Sequence, residues 1–406
     1  MSPADARLDD LHRRARALQP RTVALRRAVH RHPEIGLHLP GTQDAVLGAL
    51  ADLPVRIHLG REVSSVVAVL DGARPGPTVL LRADMDALPL HEDTGVEFTS
   101  TVDGAMHACG HDAHVAMLAS AARLLAESRE DLAGRVLLMF QPGEEGFHGA
   151  RHMIDEGLLG PGGPAGMPEA AYALHVSATL PSGEVHTRPG PIMAAADTVT
   201  VTVTGRGGHA SAPHDAVDPV PAAAAMVGAL QTMLTRRVDA HQAAVLTIAR
   251  ITAGTTNNVI PESAEMEGTL RTMAEPVRRL LHDEIQRVCR HTALAHGCEA
   301  DVRISSGYPV TANDRQAAAQ VTDLAGRLLG SRRAVEMPDP IMGAEDFSYV
   351  LREVPGALAF LGACPPGVDL ATAPSNHSNR VVFDESAMPT GVALYAGLAL
   401  EALAAS

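Results

Sequence analysis

The sequence predicts an α/β protein made of two domains. Its 406 residues exceed what one hydrophobic core usually supports. Short β-rich runs alternate with helix-like stretches in the first part of the chain, and a different alternation fills residues 188–306. Residue types that bind metals lie on both sides of that second region, so the smaller domain is predicted to be inserted into the larger one.

The first part of the chain predicts a sheet covered by helices. The N-terminal segment is charged throughout and lacks the apolar centre of a signal peptide, which predicts a surface helix. A further helix is predicted at residues 112–127. Strands are predicted at residues 65–70, 78–82, 135–140 and 171–174. This alternation is typical of an α/β sheet with helices packed on it.

Residues 188–307 form the predicted second domain. They contain a strand at 198–203, a helix at 218–235, two strands, a helix at 276–296 and a last strand. That order is a β-α-β-β-α-β unit. Residues 1–187 and 308–406 then make up the metal-binding catalytic domain.

Two segments predict a metal site. Cys109 and His111 are two positions apart, so both can face one cation if the backbone there is extended. Glu144 and Glu145 follow a buried apolar run that ends in a turn. Their side chains point in different directions, so one can bind metal while the other takes a proton from a water.

Each of these features alone is more often structural. A lone histidine is usually packed or solvated, and a pair of glutamates usually lies on a wet surface. The conjunction of Cys109, His111 and the two glutamates with His175 and His377, each near strand-like runs, indicates a metal site instead.

Seven motifs in order carry a family resemblance. The motifs are His32–Gly36, Arg82–Pro89, His107–His114, Phe140–Gly146, Gly207–Ser211, Asn258–Pro261 and Gly343–Phe347. With them the chain resembles the M20 metallopeptidase family from about residue 25 to its C-terminus, specifically the amidohydrolase branch of hippurate hydrolases, indoleacetyl-amino-acid hydrolases and N-acyl-amino-acid deacylases.

The resemblance implies a phosphorylase/hydrolase-like α/β catalytic domain that binds two divalent metal ions per subunit. Zinc or manganese is expected, with cobalt and nickel as alternatives. Glu144 would be the general base, and Asp86 a carboxylate that supports the site without binding metal. The implied ligands are Cys109, His111, Glu145, His175 and His377.

The resemblance also implies that the inserted domain is a ferredoxin-like lid and dimerisation domain. In the family, the histidine equivalent to His209 reaches the partner's active site and stabilises the oxyanion, so a homodimer is expected. Asn258 and Arg271 are candidates for gripping a substrate carboxylate, which a guanidinium binds in two-pronged fashion. The alternative for Arg271 is a surface ion pair with Glu265 or Glu267.

The expected reaction is hydrolysis of an N-acyl amino acid to a carboxylic acid and a free amino acid. A dipeptidase or aminopeptidase on the same metal site is the first alternative. A non-catalytic metal-binding or regulatory dimer is the second, although such a protein has no need of a base like Glu144 beside the ligands.

Composition disfavours several classes of partner, one class of mechanism and two locations. The net charge of −14 disfavours nucleic acid and anionic membranes. All 33 basic residues are arginine, which excludes a Schiff-base lysine. The four cysteines show no CxxC pairing, which favours a reducing cytoplasm. Apolar stretches such as 220–234 are shorter than the ~20 residues of a membrane span, so none is predicted.

Three residue-level predictions complete the analysis. Asp112 is predicted to cap the helix that follows it. His114 is predicted to pack beside the ligands or to support them. Glu345 and Asp346 belong to an active-site loop by resemblance, without an assigned role.

Overall fold

The computed structural model describes residues 3–160 and 162–404. The chain divides into two units, of which the larger comprises Met1–Ile192, Ala312–Asp339 and Asp346–Ser406. The smaller comprises Met193–Thr311 and Pro340–Glu345.

The elements follow one another in three groups. The first is α1 (Pro3–Arg31), α2 (Pro40–Leu50), β1 (Val55–Leu59), β2 (Val66–Asp71), β3 (Arg74–Asp84), α3 (His111–Glu127), β4 (Ala133–Gln141), α4 (Gly149–Asp155), β5 (Ala170–Ser177), β6 (Val185–Thr187) and β7 (Gly190–Met193). The second is β8 (Ala195–Thr204), β9 (Gly208–His209), α5 (Pro219–Arg237), β10 (Ala244–Ala253), β11 (Val259–Ile260), β12 (Ser263–Thr272), α6 (Glu275–Ala295) and β13 (Glu299–Ser306). The third is β14 (Thr311–Asn313), α7 (Arg315–Leu329), β15 (Ala334–Glu336), α8 (Ser348–Glu353), β16 (Gly356–Gly362) and α9 (Met388–Ala404).

The larger unit is built on an eight-stranded mixed sheet of order β1-β2-β4-β3-β5-β16-β6-β15. The central strands β4, β3, β5 and β16 run parallel. Their residues are buried in unbroken runs, as in Gly356–Gly362, because helices cover both faces of a parallel sheet. The α/β class predicted from the sequence is confirmed.

Helix α3 is the central helix on this sheet and packs against α1 and α9. The predicted surface helix at the N-terminus is one-sided, since α1 buries Leu8, Leu11 and Ala15 on the face toward the core. Truncating a fully buried strand residue such as Leu81 to alanine would cost about 2–5 kcal/mol.

One helical stretch corrects the expectation about apolar length. Among the described residues, Glu385–Ala404 is long and apolar enough, by length and composition alone, to cross a membrane. Within the protein, 78% of that window is buried. Its apolar character is therefore accounted for by packing in the core of the larger unit.

The smaller unit has a four-stranded antiparallel sheet of order β10-β12-β8-β13, with α5 and α6 packed on it. Its elements follow the chain order β8, α5, β10, β12, α6, β13. Alternate residues of β8 are buried, because one face of the strand packs on the helices: Val199, Val201 and Val203 point into that core. Strand β10 lies at the edge and is mostly exposed.

Candidate metal centre

The candidate site is built at the carboxyl ends of the parallel strands. In the β3–β4 register Asp84 pairs with Gln141, so residues just after these two strands emerge at one edge of the sheet. Asp86 follows β3, and Glu144 and Glu145 follow β4. His175 comes from neighbouring strand β5. Side chains from three strands therefore converge at the edge where parallel α/β sheets bind ligands.

Gly110 holds Cys109 and His111 in place. It adopts φ +87° immediately before α3, and a Cβ at this position would lie 2.3 Å from a methyl carbon of Val176. Only glycine combines the left-handed backbone with this close approach. The chain can then place the thiol and the imidazole at the same centre.

Five side chains form two groups that share Cys109. Within each group the ligand atoms lie within 4.8 Å of one another, and the groups are Cys109 with His111 and His175, and Cys109 with Glu145 and His377. Cys109 Sγ lies 3.3 Å from Nε2 of both His175 and His377. The structure thus brings together all five residues predicted as ligands, with the thiol between the two groups.

The outer nitrogens of two histidines are already engaged. His175 Nδ1 donates to the carbonyl of Val176 at 2.8 Å, and His111 Nδ1 donates to the carbonyl of Asp86 at 2.8 Å. In the neutral form of each imidazole the lone pair is then on Nε2, as in a metal-binding histidine. His111 Nε2 is buried and makes no hydrogen bond within the described part of the chain. A bound cation would satisfy this atom, so the residues present fit a divalent metal.

The pKa values of three of the candidate ligands are shifted by their surroundings. Burial lowers the pKa of His175 to about 3, which keeps its imidazole neutral. Burial and the neighbouring Glu145 raise the pKa of the Cys109 thiol, and a bound cation would reverse that direction. Hydrogen bonds to Cys109 and Glu145 raise the pKa of His377 to about 10.

Asp86 holds the turn that carries both glutamates. Its two carboxylate oxygens accept the backbone N–H groups of Glu144 at 2.9 Å and Glu145 at 3.0 Å. Glu145 thereby joins one ligand group, while Glu144 is only 6% exposed and stands beside it. Glu145 lies in a group with Cys109, whereas Glu144 lies in a group with His111 and Glu145 and in another with Glu345 and Asp346.

A second buried network, which the sequence analysis missed, supports Glu144. Asp346 donates its backbone N–H to Glu144 Oε1 at 3.4 Å. Its carboxylate accepts from Arg82 at 3.1 Å, from the Gln141 amide at 2.7 Å and from the Ala150 N–H at 2.9 Å. Asp346 therefore ties the general-base candidate to the strand ends, which gives a physical role to a residue that the sequence left unassigned.

Asp84 is the other residue that sequence reasoning passed over. It is fully buried, 2.6 Å from the Arg82 guanidinium, and accepts from His114 Nδ1 at 2.5 Å. His114 Nε2 in turn accepts the Val176 N–H at 2.8 Å, so His114 supports the strand end. Alternate spacing of Arg82, Asp84 and Asp86 on one strand was the signal that could have identified Asp84.

The predicted cap at Asp112 is wrong. Helix α3 begins at His111 with Gly110 as its N-cap, and no side chain caps it. The buried carboxylate of Asp112 instead accepts from Arg26 at 3.0 Å and from His30 at 2.9 Å. It fastens α1 to α3 rather than ending a helix.

In the smaller unit, His209 and Asn258 line one cavity of ≈ 440 Å³. His209 Nδ1 accepts from the Ser211 N–H and hydroxyl at 3.1 and 2.8 Å, which leaves the proton on Nε2, the tautomer that can donate to an oxyanion. Arg271 lies on β12 and does not line this cavity. The alternative for Arg271, a surface ion pair with Glu265 or Glu267, is not found among the described residues, and Glu267 pairs with Arg250 at 2.6 Å instead.

Residues 80–401 match the model of peptidase family M20/M25/M40. The chain belongs to this family. As a member of peptidase family M20 with residues for a dinuclear metal site, it is a hydrolase.

Individual M20 proteins are similar over nearly the whole chain. Thermostable carboxypeptidase 1 of Saccharolobus solfataricus is 36% identical, covering 97% of this chain and 98% of its own. IAA-amino acid hydrolase ILR1-like 2 of Arabidopsis thaliana is 36% identical, covering 94% and 85%. A dinuclear metal-binding M20 peptidase of Bacillus subtilis has a solved structure that superposes with a TM-score of 0.81 at 31% identity, covering 96% and 99%.

Proposed function

We propose that this M20 protein hydrolyses the amide bond of N-acyl amino acids, releasing a carboxylic acid and a free amino acid. The observation that carries the proposal is Glu144, buried beside two ligand groups that share Cys109. The named activity of the Arabidopsis relative, on an amino-acid conjugate, supports this substrate class.

In this proposal the two ligand groups hold two divalent cations, with Cys109 common to both. Zinc or manganese is the expected ion, with cobalt and nickel as alternatives. Such cations, when bound, acidify water and polarise a carbonyl oxygen. The described residues supply a thiolate, three imidazoles and one carboxylate for them: Cys109, His111, His175, His377 and Glu145.

Glu144 moves the protons of the reaction. Its carboxylate takes a proton from the attacking water and then delivers it to the departing nitrogen of the amide. The Asp86 and Asp346 hydrogen bonds fix the turn and one carboxylate oxygen, so the base keeps one orientation through both transfers.

The smaller unit is proposed to act as a ferredoxin-like lid and dimerisation domain. His209, protonated on Nε2, would stabilise the oxyanion in the partner's active site, and Asn258 shares its cavity. Edge strand β10 exposes Val245 and Ile251, with 40% and 51% exposed, and an unpaired edge of this kind can extend into a second copy. We expect a homodimer, and light scattering of the purified protein measures it.

Arg271 is proposed to bind the α-carboxylate of the substrate. With no ion pair among the described residues, its guanidinium is available for this role. Arg271→Ala should raise KM for N-acyl amino acids more than for the matching N-acyl amides, which lack the carboxylate. Arg250→Ala on the facing strand is the control and should leave that ratio unchanged.

The decisive experiment is amine release from a panel of N-acyl amino acids with free dipeptides alongside, using zinc- or manganese-loaded protein with and without chelator. Chelator-sensitive release from the blocked substrates supports the proposal. Glu144→Gln is the inactive control, because it keeps the ligands and removes the base.

The second candidate is peptide hydrolysis, which the Saccharolobus carboxypeptidase favours at equal identity. Release from free dipeptides without release from N-acyl amino acids would establish it in place of the first.

The reducing cytoplasm is the proposed compartment, and the four cysteines are all free and buried.

A further inference from the structure

An exposed aromatic ring lies on the turn that carries the general-base candidate. Phe147 is three positions after Glu144 and is 42% exposed. The Gly146 N–H donates to the Glu144 carbonyl at 2.8 Å, which closes the turn between them. The ring and the Glu144 carboxylate are thus presented by one short, fixed segment.

A second apolar side chain is fixed beside Asp86. Ile35, 38% exposed, forms an isolated bridge with Ala87, and the Ala87 N–H donates to the Glu34 carbonyl at 2.8 Å. Asp86 precedes Ala87 and also holds the glutamate turn, so the segments that carry Ile35 and Phe147 are both hydrogen-bonded to the same short stretch of the larger unit.

The two segments are in contact. A Cβ on Gly36 would lie 3.4 Å from the Phe147 ring, and one on Gly143 would lie 2.5 Å from Leu37 and 3.1 Å from Phe147. The side chains of Leu37 and Phe147 therefore pack over two glycines, and Ile35 is two positions before Leu37. We call these three residues, Ile35, Leu37 and Phe147, the apolar shelf.

The backbone after Phe147 is held in an unusual conformation. His148 adopts φ +58°, a left-handed backbone uncommon outside glycine, and its Nδ1 is 2.9 Å from the Tyr349 hydroxyl. Such a conformation persists only when the surroundings fix it, and it is frequent beside ligand sites. The shelf is thus held in position rather than left on a mobile loop.

We propose that the apolar shelf binds the acyl group of the substrate and selects apolar acyl groups larger than acetyl. This rests on the proposed function. Groups attached to the scissile carbonyl must lie within a few bonds of the water that Glu144 activates. The amino-acid side of the substrate carries a carboxylate, which the uncharged shelf beside Glu144, Glu145 and Asp86 would not accommodate. The acyl side is the uncharged one.

The test compares Phe147→Ala with the parent protein, both metal-loaded, on N-acetyl, N-benzoyl and N-octanoyl derivatives of one amino acid. We expect kcat/KM to fall about tenfold or more for benzoyl and octanoyl but less than about threefold for acetyl. Ile57→Ala is the matched control, since Ile57 is also 38% exposed but lies on edge strand β1. It should change none of the three values.

An equal loss on all three substrates, or a loss that follows the amino acid rather than the acyl group, overturns the proposal. Should the parent protein cleave none of them, the proposed function fails separately. Calorimetric binding of acetate, benzoate and octanoate then still tests the shelf. Octanoate binding that Phe147→Ala leaves unchanged would overturn it.

Discussion

The carboxylate of Asp86 accepts the backbone N–H of Glu144 at 2.9 Å and, through its other oxygen, that of Glu145 at 3.0 Å. One buried side chain therefore sets the turn on which a ligand candidate and a base candidate sit side by side. Asparagine cannot replace it, because its amide would place a donor against one of the two N–H groups.

We predict that Asp86→Asn lowers kcat/KM or metal affinity by roughly 10–100-fold, the usual effect of losing a group that orients metal ligands. Steady-state kinetics with metal analysis of the purified variant measures this. Asp44→Asn, at an exposed position on α2, is the control. Full activity in Asp86→Asn would show that the turn keeps its shape without the second acceptor.

Substitution of Glu144 and substitution of Glu145 should have different effects on activity and metal content. Glu144→Gln should retain both metals and lose on the order of 10²–10⁴ in kcat, because only the proton acceptor is removed. Glu145→Gln should instead bind less metal, since it lies in a ligand group with Cys109 and His377. Elemental analysis beside the rate assay separates the two results. Metal loss in Glu144→Gln would contradict the assignment.

Cys109 should matter to both cations. Because it belongs to both ligand groups, Cys109→Ala is expected to reduce binding at both sites, whereas His377→Ala should weaken one. Titration with zinc or cobalt, followed by calorimetry, gives the stoichiometry. Equal stoichiometry in the two variants would mean that the thiol serves one ion only.

Breaking the buried ion pair of Arg82 with Asp346 should destabilise the protein strongly. Both side chains are buried, so Asp346→Ala leaves the guanidinium with one carboxylate fewer and should lower the free energy of unfolding by about 3–5 kcal/mol. It should lower kcat as well, through the Glu144 contact. Asp323→Ala, which breaks an exposed pair with Arg327, should cost about 1 kcal/mol or less. Urea unfolding curves measure both.

The free energy of unfolding should fall at alkaline pH because of His30. Burial lowers the pKa of His30, but hydrogen bonds to Asp112 and Glu92 outweigh it and raise this pKa from 6.5 to about 9. The protonated form is thus favoured in the folded state, and its stabilisation is complete below pH 6.5 and is lost as the pH rises through 9.

The measurement is urea unfolding of the parent protein and His30→Gln between pH 6 and 10. The stability difference should be greatest at the acidic end and shrink toward pH 10, by about 1.4 kcal/mol for each unit of pKa difference. A difference that does not vary with pH would show that His30 stays neutral in the folded protein.

Much of the fold could be predicted from local patterns. The unbroken apolar run at residues 135–140 identified a central strand, and the β-rich run at residues 198–203 identified a strand of the smaller unit. The prediction of a helix cap was wrong because the sequence shows only that Asp112 lies next to a helix start. It does not show that Arg26 and His30 are buried beside Asp112 and hydrogen-bond to its carboxylate. The capping preference of an aspartate is outweighed here by ion pairing between α1 and α3, which are distant in the sequence.

Asp346 shows the same limit at the site. It is 264 positions from Arg82 in the chain, and nothing in its neighbours indicates the partner. Similarly, the sequence gives no sign that Phe147 is more than a loop residue. Only the structure shows that Gly36 and Leu37 lie against it.

The sequence by itself determined the α/β class and predicted the kinds of ligand and the pairing of a base candidate with a ligand candidate, because these depend on residue type and on short-range spacing. Only the tertiary structure decided that Cys109 is common to two groups and that Asp86 and Asp346 fix Glu144. It also decided where the apolar shelf lies. Those relations depend on the order of strands in the sheet, which brings together segments that no local pattern connects.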